Sequence, residues 1–366
     1  MVRVATLVAA AVSLSLTGCV LAGDGDPMSP AEARKVFGRL GPVPVPADNP
    51  MSPAKVKLGR LLFADARLSA DGSLSCQSCH RPDQAFAAAQ PLSPAFPTKT
   101  ERRKVPTLVN VAFKGPLLWD GRVDSLDMQP LSTIADRIHF NNDADLVAAE
   151  LALDKDYPAL FGAAFGTEGV TPTRIAQAIA TYERTLVFDD SRFDRYLDGD
   201  ETALSAAERR GLTLFAGKAG CAGCHRGPNL TDERFHNIGV PDQTVRGLAA
   251  VMATIGFDAK RMGFPGWAQV TEDLGRQLVT KRAADAGKFR TMSLRNVADI
   301  GPYMHNGALA TLDEVIDFYD AGGGTHPNKT TALRPRGLSP EEKADLKAFL
   351  TALSGVQRPD MTDLGK

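Results

Sequence analysis

Apolar residues recur along most of the chain at the three- and four-residue spacing of amphipathic helices. In one such stretch, Ile175, Ile179 and Tyr182 share a helical face behind a Thr171-Pro172 start. The two-residue alternation that indicates strands is sparse. The pattern therefore predicts a mainly α fold.

Helix starts are marked by side chains that can accept hydrogen bonds from the first backbone amides. Ser52 precedes Pro53, and Leu58, Leu61 and Leu62 then form the apolar stripe of a predicted helix. The capping-box pattern, Ser or Thr followed three residues later by Glu, occurs at Ser205 with Glu208, Thr311 with Glu314, and Ser339 with Glu342. These signals predict short helices separated by loops.

The two halves of the chain share one local order. Leu62-Phe63 and Leu214-Phe215 each end a predicted helix, and a glycine-containing loop and a C-x-x-C-H motif follow. A chain of 366 residues also exceeds the size at which one core usually stops growing. We therefore predict two domains packed against each other, residues 51–195 and 196–366.

The N-terminus has the pattern of an export signal. Arg3 precedes an apolar stretch that is short for a membrane span, and Cys19 follows Leu16-Thr17-Gly18 as in a bacterial lipobox. We predict a signal peptide over residues 1–18, a periplasmic protein anchored by lipid on Cys19, and an irregular tether and lead-in over residues 19–50. A plain secretory signal with an incidental cysteine is the alternative.

The net charge and the distribution of charged residues indicate which kinds of partner the protein binds. The formal net charge is −1, acidic and basic residues are interspersed, and no long run of like charge occurs. Nucleic acid and anionic membrane surfaces are therefore not expected partners. A small molecule or a protein is expected instead, with the lipid anchor as the membrane contact.

Four of the five cysteines lie in the two C-x-x-C-H motifs. The motifs comprise Cys76, Cys79 and His80, and Cys221, Cys224 and His225. Two thiols about one turn apart, followed at once by a histidine, suit covalent attachment of haem c and proximal ligation of its iron. A redox dithiol or half a zinc site does not require that histidine, which occurs here twice. We therefore predict two covalently bound haems, one in each cytochrome c-like domain.

The second axial ligand of each haem is not determined by spacing. The remaining histidines are His139, His236, His305 and His326. Each of them suits a surface or structural role as well as a ligand role. Periodicity does not choose among them.

Several motifs in order make the chain resemble the bacterial di-haem cytochrome c peroxidase and MauG family from about Leu58 to Leu350. Between and after the two haem motifs stand Val105-Pro106-Thr107-Leu108, Trp119-Asp120-Gly121-Arg122, Ser293-Leu294-Arg295-Asn296-Val297, Pro302-Tyr303-Met304-His305-Asn306-Gly307 and Thr311-Leu312-Asp313-Glu314. The resemblance implies two haem domains and the use of hydrogen peroxide.

The resemblance implies that the C-terminal haem handles electrons and has Met or Tyr as its second ligand. Tyr319 stands at that position, which places the chain with the MauG-like and MbnH-like members. A phenolate ligand would stabilise high oxidation states of iron. Tyr319 could instead be a core aromatic residue, with Met304 or Met292 as the ligand.

The resemblance implies that the N-terminal haem binds peroxide. No histidine lies between His80 and His139, and Phe96 is near the place of the removable ligand of other members, so we expect an open distal side. His139 stands where the family has a distal Glu, with Gln129 at the neighbouring distal position. We expect His139 to act in acid–base chemistry, the alternative being that it binds the iron.

The resemblance implies roles for three further residues. Trp119 matches the tryptophan between the haems that couples them electronically, or is a core residue, and His305 is expected at the periphery of the second haem and not on its iron. Lys104 occupies the place of an Asn ligand to an inter-haem calcium. Because an ammonium cannot ligate a cation, we expect no calcium there.

Together these features predict a periplasmic peroxide-using oxidase. With Tyr319 as a ligand, the expected substrate is a Trp or Tyr side chain of an exported partner protein, oxidised at a distance. The first alternative is a cytochrome c peroxidase supplied with electrons by a small cytochrome or copper protein. The second is a non-catalytic electron carrier with two six-coordinate haems.

Overall fold

The computed structural model describes residues 27–95, 99–241 and 248–358, and Cys19 and Phe96 lie outside these ranges. The helices are α1 (Pro30–Val36), α2 (Pro53–Ala64), α3 (Cys76–Cys79), α4 (Gln129–Ala135), α5 (Ala144–Ala152), α6 (Tyr157–Phe165), α7 (Pro172–Glu183), α8 (Arg192–Leu197), α9 (Ala206–Ala216), α10 (Leu248–Arg261), α11 (Gln277–Thr280), α12 (Leu312–Asp320) and α13 (Pro340–Thr351). None of these helices is both long and apolar enough to cross a bilayer. The predicted mainly α fold is confirmed.

Short strands form antiparallel pairs, one of them local and two between segments that are distant in the chain. They are β1 (Pro94–Ala95) with β2 (Lys99–Thr100), β3 (Phe188–Asp189) with β6 (Val356–Gln357), and β4 (Phe235–His236) with β5 (Phe289–Arg290). The pairing of β3 with β6 returns the C-terminal segment to the junction between the two halves.

The predicted helix starts are confirmed in detail. Side chains of Ser52, Thr171, Ser205 and Ser339 each accept a hydrogen bond from a backbone amide of the first turn. At Thr311 the cap is present, but the Glu314 carboxylate accepts from Ala310 N and does not close a box. The expected burial of Leu61 is wrong, because its side chain faces solvent while Leu58 and Leu62 are buried.

The buried apolar residues form two hydrophobic cores. The first core is built from residues between Leu58 and Leu186, and the second contains Phe193 and continues to Leu353. The change falls a few residues before the predicted boundary at residue 195. Each core packs beside one C-x-x-C-H motif, because Cys76 contacts the first core and Cys221 contacts the second.

The expectation of an irregular lead-in is wrong for part of residues 19–50. Ser29 and Glu32 form a capping box that starts α1, and the buried Phe37 packs edge-on against Phe193 at 5.3 Å between ring centroids. Tyr196 Oη also donates to the Met28 carbonyl at 2.6 Å. The segment belongs to the second core because its apolar side chains are spaced to reach it.

One structural unit occurs twice, with a constant offset of 186 positions between residues 107–126 and 293–312. Asn110 and Asn296 are equivalent, and both have a backbone φ of 56° at the start of a 3₁₀ turn. Further equivalent features are Leu118 and Met304 with φ of 67° and 71°, Gly121 and Gly307 with φ of 65° and 69°, and the bridges Leu117 to Val123 and Tyr303 to Leu309. Trp119 and His305 are therefore equivalent positions.

A glycine lies at a close helix crossing in each half. A Cβ on Gly59 of α2 would lie 1.9 Å from the Ala178 carbonyl oxygen of α7, and a Cβ on Gly211 of α9 would lie 2.0 Å from the Asp345 oxygen of α13. Both are below any real contact distance. The helix before each haem motif, α2 or α9, approaches its partner helix this closely because its glycine has no side chain.

We expect Gly211→Ala to lower the free energy of unfolding by about 1–3 kcal/mol, because the added methyl group forces α9 and α13 apart. The gain of roughly 1 kcal/mol in helix propensity offsets only part of the steric cost, because the added Cβ meets a backbone carbonyl. Thermal unfolding of the holoprotein measures the net loss. Gly41→Ala is the matched control, since a Cβ on Gly41 meets no atom within 4 Å. Equal melting temperatures for both variants would contradict the close crossing.

Candidate active site

Two cavities lie beside the C-x-x-C-H motifs. The first has a volume of about 130 Å³ and is lined by Cys76, Cys79 and His80, and the second, of about 290 Å³, is lined by Cys221, Cys224 and His225. All four thiols are free of disulfides. The structure thus brings together the residues that the sequence assigns to each haem.

The two motif histidines are oriented in the same way. His80 Nδ1 lies 2.9 Å from the Phe86 carbonyl oxygen, and His225 Nδ1 lies 3.1 Å from the Leu230 carbonyl oxygen. A carbonyl accepts only from a protonated Nδ1, so each Nε2 is left unprotonated as a metal ligand requires. Burial also lowers the pKa of His80 to about 4, which keeps the imidazole neutral.

The polar groups of the cavities fit a haem. Arg102 Nη1 and Arg290 Nε are buried and have no hydrogen-bond partner among the described residues. Arg102 lines the first cavity and Arg290 lines both. Buried guanidinium N–H groups need acceptors, and the carboxylates of haem propionates supply them. The thiols, the neutral imidazoles and these guanidinium groups together make the donor set that haem c requires.

Tyr319 lies on α12 and lines the second cavity. Burial, together with the nearby Cys221 and Cys224, raises the pKa of the Tyr319 phenol well above its usual range. Met292 and Met304 line the same cavity, so all three candidate ligands are present there. Tyr319 as the iron ligand stays a prediction.

The predicted distal residues Gln129 and His139 both line the first cavity. Gln129 Nε2 donates to Thr133 Oγ1 at 2.9 Å. His139 Nε2 lies 3.3 Å from Glu101 Oε2, and its Nδ1 lies 3.3 Å from Asp136 Oδ1. The imidazole therefore lies within ion-pair distance of two carboxylates, although its Nδ1 makes no hydrogen bond with the described residues. This position suits a group that takes up and returns a proton.

Glu101 belongs to a run of four charged residues that is entirely buried. Glu101, Arg102, Arg103 and Lys104 expose only 4–6% of their surfaces. Arg103 Nη1 donates to Asp120 Oδ2 at 2.8 Å and its Nε to Asp273 Oδ2 at 2.6 Å. Such a run ordinarily indicates a solvated surface, so no local signal in the sequence identifies Glu101 as a cavity residue.

Helix α10 connects the second half of the chain to the distal side of the first cavity. Arg261 Nη2 lies 3.3 Å from Asp136 Oδ2, and Asp258 Oδ2 lies 2.7 Å from Arg102 Nε. Burial opposes ionisation of Asp136, but His139 and Arg102 hold the pKa of its carboxyl well below the usual range. Asp136 is therefore a fixed negative charge beside His139.

Trp119 lines both cavities. Its Nε1 donates to the Lys104 carbonyl at 2.7 Å, and its ring lies edge-on to that of His305, 6.3 Å between centroids. His305 stacks on Phe289 at 3.6 Å, lines the second cavity, and has its pKa lowered to about 4 by burial. A continuous aromatic contact thus lies between the cavities, at the equivalent positions of the repeat.

Lys104 is also placed between the cavities and lines both. Its ammonium donates to the Ala88 carbonyl, and its backbone amide donates to the His305 carbonyl at 2.7 Å. Burial lowers the pKa of the Lys104 ammonium to about 8. The side chain thus provides a proton donor at this position and no metal-ligating atom while it is charged.

Known proteins resemble this chain over most of its length. The family model for di-haem cytochrome c peroxidase matches residues 53–202. The cytochrome-c peroxidase IdrP1 of Denitromonas iodatirespirans is 45% identical, covering 87% of this chain and 86% of the relative. The methylamine utilization protein MauG of Methylorubrum extorquens is 37% identical, covering 87% and 83%.

A solved structure agrees with these relatives. The crystal structure of a MauG-like protein associated with microbial copper homeostasis superposes with a TM-score of 0.74 at 34% identity, covering 86% of this chain and 93% of that one. The chain therefore belongs to the di-haem cytochrome c peroxidase and MauG family, whose members are haem-containing oxidoreductases that use peroxide.

Proposed function

We propose that the chain is a periplasmic, lipid-anchored di-haem oxidase that uses hydrogen peroxide to oxidise a Trp or Tyr side chain of an exported partner protein. The observation that carries the proposal is Tyr319, which lines the second cavity with Cys221, Cys224 and His225. The lipobox-like sequence that ends at Cys19 supports export and anchoring.

The residues of the two cavities have different roles in the proposed reaction. Cys76 and Cys79, and Cys221 and Cys224, would hold the two haems through thioether bonds, and the haem irons would supply peroxide binding and the storage of oxidising equivalents. In the first cavity, His139 Nε2 takes up the proton of peroxide and returns it to the departing oxygen.

Carboxylates on both sides of His139 support that proton transfer. Glu101 and Asp136 each lie 3.3 Å from a ring nitrogen and stabilise the imidazolium while it holds the proton. Gln129 is oriented by its hydrogen bond to Thr133. The two carboxylates are buried, whereas the His139 side chain is 26% exposed.

Trp119 carries electrons between the cavities, so we expect Trp119→Phe to slow oxidation of the second haem after peroxide addition by about tenfold, or about 1.4 kcal/mol in barrier. Stopped-flow absorbance measures this step. Trp267, the chain's other tryptophan, lies on the exposed 3₁₀ turn Trp267–Gln269, and Trp267→Phe is the matched control. Equal rates in both variants would remove Trp119 from the electron path.

A cytochrome c peroxidase is the second candidate, and the 45% identity to IdrP1, a cytochrome-c peroxidase, favours it. The two functions differ in the electron donor. A peroxidase takes electrons from a small reduced cytochrome or copper protein in many turnovers. The proposed oxidase takes them from side chains of a protein substrate and leaves a covalent change there.

The deciding experiment offers both donors to the holoenzyme with hydrogen peroxide. One reaction contains a reduced small c-type cytochrome, and the other contains a periplasmic extract that is then examined by mass spectrometry for oxidised Trp and Tyr. We expect peroxide- and enzyme-dependent oxidation at defined side chains of one extract protein and slow cytochrome oxidation. Rapid cytochrome turnover without side-chain oxidation would establish the peroxidase instead.

The spin states of the ferric haems distinguish both enzymes from the third possibility, a non-catalytic electron carrier with two six-coordinate haems. We expect one high-spin and one low-spin signal in low-temperature electron paramagnetic resonance, both lost on adding stoichiometric peroxide. Two low-spin signals indifferent to peroxide would contradict the open first haem.

A further inference from the structure

The internal repeat extends beyond residues 107–126 into the helices that follow. With the same offset of 186 positions, α4 corresponds to α12, and the position equivalent to Tyr319 is Thr133. The sequences of the two helices differ, so the equivalence has to be tested on their backbones.

The same side-chain hydrogen bond occurs at the approach to both helices. Ser125 Oγ accepts from Met128 N at 3.2 Å, and Thr311 Oγ1 accepts from Glu314 N at 3.2 Å. Ser125 and Thr311 are 186 positions apart, as are Met128 and Glu314. In α12 this bond caps the first turn, whereas in the other half it lies in the turn just before α4, whose N-cap Met128 has no side-chain cap. The same bond at the same offset of 186 positions supports the equivalence of the positions that follow.

The equivalent positions face equivalent cavities. Thr133 lines the first cavity together with Cys76, Cys79 and His80, and Tyr319 lines the second together with its own C-x-x-C-H residues. The side chain at this position is a phenol in one half and a small β-hydroxyl in the other. Thr133 Oγ1 is also engaged, since it accepts the hydrogen bond from Gln129 Nε2.

We infer that Thr133 occupies the distal ligand position of the first haem and keeps that position open to peroxide, because its side chain is too short to serve as the ligand that Tyr319 provides in the second half. The inference rests on the proposed function in one respect, the assignment of Tyr319 as an iron ligand. The residue at one repeated position, Thr133 or Tyr319, then determines whether its haem binds peroxide or handles electrons.

Reciprocal substitutions in the ferric holoenzyme test the inference. Thr133→Tyr is expected to remove the high-spin signal of the first haem in electron paramagnetic resonance. It is also expected to weaken azide binding by roughly tenfold or more, because azide binds only the fraction of molecules in which the new ligand is displaced. Tyr319→Thr is expected to open the second haem, so that azide binds at both irons.

Ser132 provides the matched control. It also lines the first cavity, and its equivalent 186 positions later is Phe318, so Ser132→Phe adds the bulk that the second half already carries beside its ligand. We expect Ser132→Phe to keep the high-spin signal and azide binding. Thr133→Met offers a second potential ligand should Thr133→Tyr fail to retain two haems per chain.

The outcomes separate this inference from the proposed function. High-spin signal and azide affinity unchanged in both Thr133→Tyr and Thr133→Met, with two haems retained, would overturn the inference. If Tyr319→Thr still opens the second haem in that case, Tyr319 stands as the ligand and only the equivalence fails. An unchanged second-haem spectrum in Tyr319→Thr would overturn the ligand assignment itself, and the inference with it.

Discussion

His139→Gln is expected to slow the reaction of the ferric holoenzyme with hydrogen peroxide by about 10²–10⁴-fold, the range for loss of a positioned acid–base group. The glutamine amide retains the approximate size of the imidazole but cannot accept and return a proton near neutral pH. The two carboxylates within 3.3 Å of the ring remain, so the loss reports the proton transfer. Stopped-flow absorbance at the first haem measures the rate.

His139→Glu is the matched control, because it places at this position the carboxylate that the family resemblance implies. We expect it to retain most of the peroxide reaction. A carboxylate can accept the proton of peroxide and return it, as an imidazole can, so Glu at this position keeps an acid–base group in the first cavity. Equal losses in both variants would show that His139 has a structural role.

His139 as an iron ligand makes the opposite prediction. Its removal would then open the first haem, so His139→Gln would gain high-spin signal and react faster with peroxide. The two roles therefore differ in the sign of the effect on the same rate.

The haem motifs were the most predictable part of the site because their chemistry is local in sequence. A thiol, two intervening residues, a thiol and a histidine fit one turn of chain, and the structure places each set in one cavity. Gln129, His139 and Trp119 also line these cavities, and their roles there stay predictions. Helix caps were predictable for the same reason, since each depends on a side chain and an amide three residues away.

The charge network around His139 could not be predicted, because its members come from distant segments. Asp136 and Arg261 are 125 positions apart, and Asp258 reaches Arg102 from α10. Charged side chains are ordinarily exposed, and burial of this run becomes favourable only when the fold supplies a partner for each charge. Helix α1 was missed because a Pro- and Gly-rich neighbourhood masked a seven-residue helix with a single buried side chain.

The internal repeat is more extensive in the structure than the sequence similarity between the two halves indicates. Residues 107–126 and 293–312 share Leu, Asn, Val, Ala, Gly and Pro at matching positions, and these specify turns and positive φ angles. The segments that follow share a Ser or Thr side-chain hydrogen bond at the approach to each helix, but not their cavity-facing residues. Backbone geometry is thus preserved while the residue that faces each iron has diverged, and the division of labour between the haems depends on the diverged positions.

Tyr319→Phe is expected to remove the oxygen ligand of the second haem and convert its ferric signal from low-spin to high-spin. The oxidised state formed with peroxide should then decay faster, because the anionic ligand no longer stabilises a high oxidation state. Tyr319→Met should restore six-coordination and raise the reduction potential of the second haem by on the order of hundreds of millivolts, within the span that axial ligands control. Spectroelectrochemistry measures both changes.

Tyr303→Phe is the matched control for Tyr319→Phe, since Tyr303 lines the same cavity and its Oη donates to the Val297 carbonyl at 3.1 Å. We expect it to leave the spin state and the potential of both haems unchanged. If Tyr319→Phe instead kept its low-spin signal, the ligand would be one of the two methionines of that cavity, and Met292→Leu and Met304→Leu would identify which. A thioether ligand would in turn favour the peroxidase over the side-chain oxidase, because it stabilises the reduced haem that delivers electrons from a small redox protein.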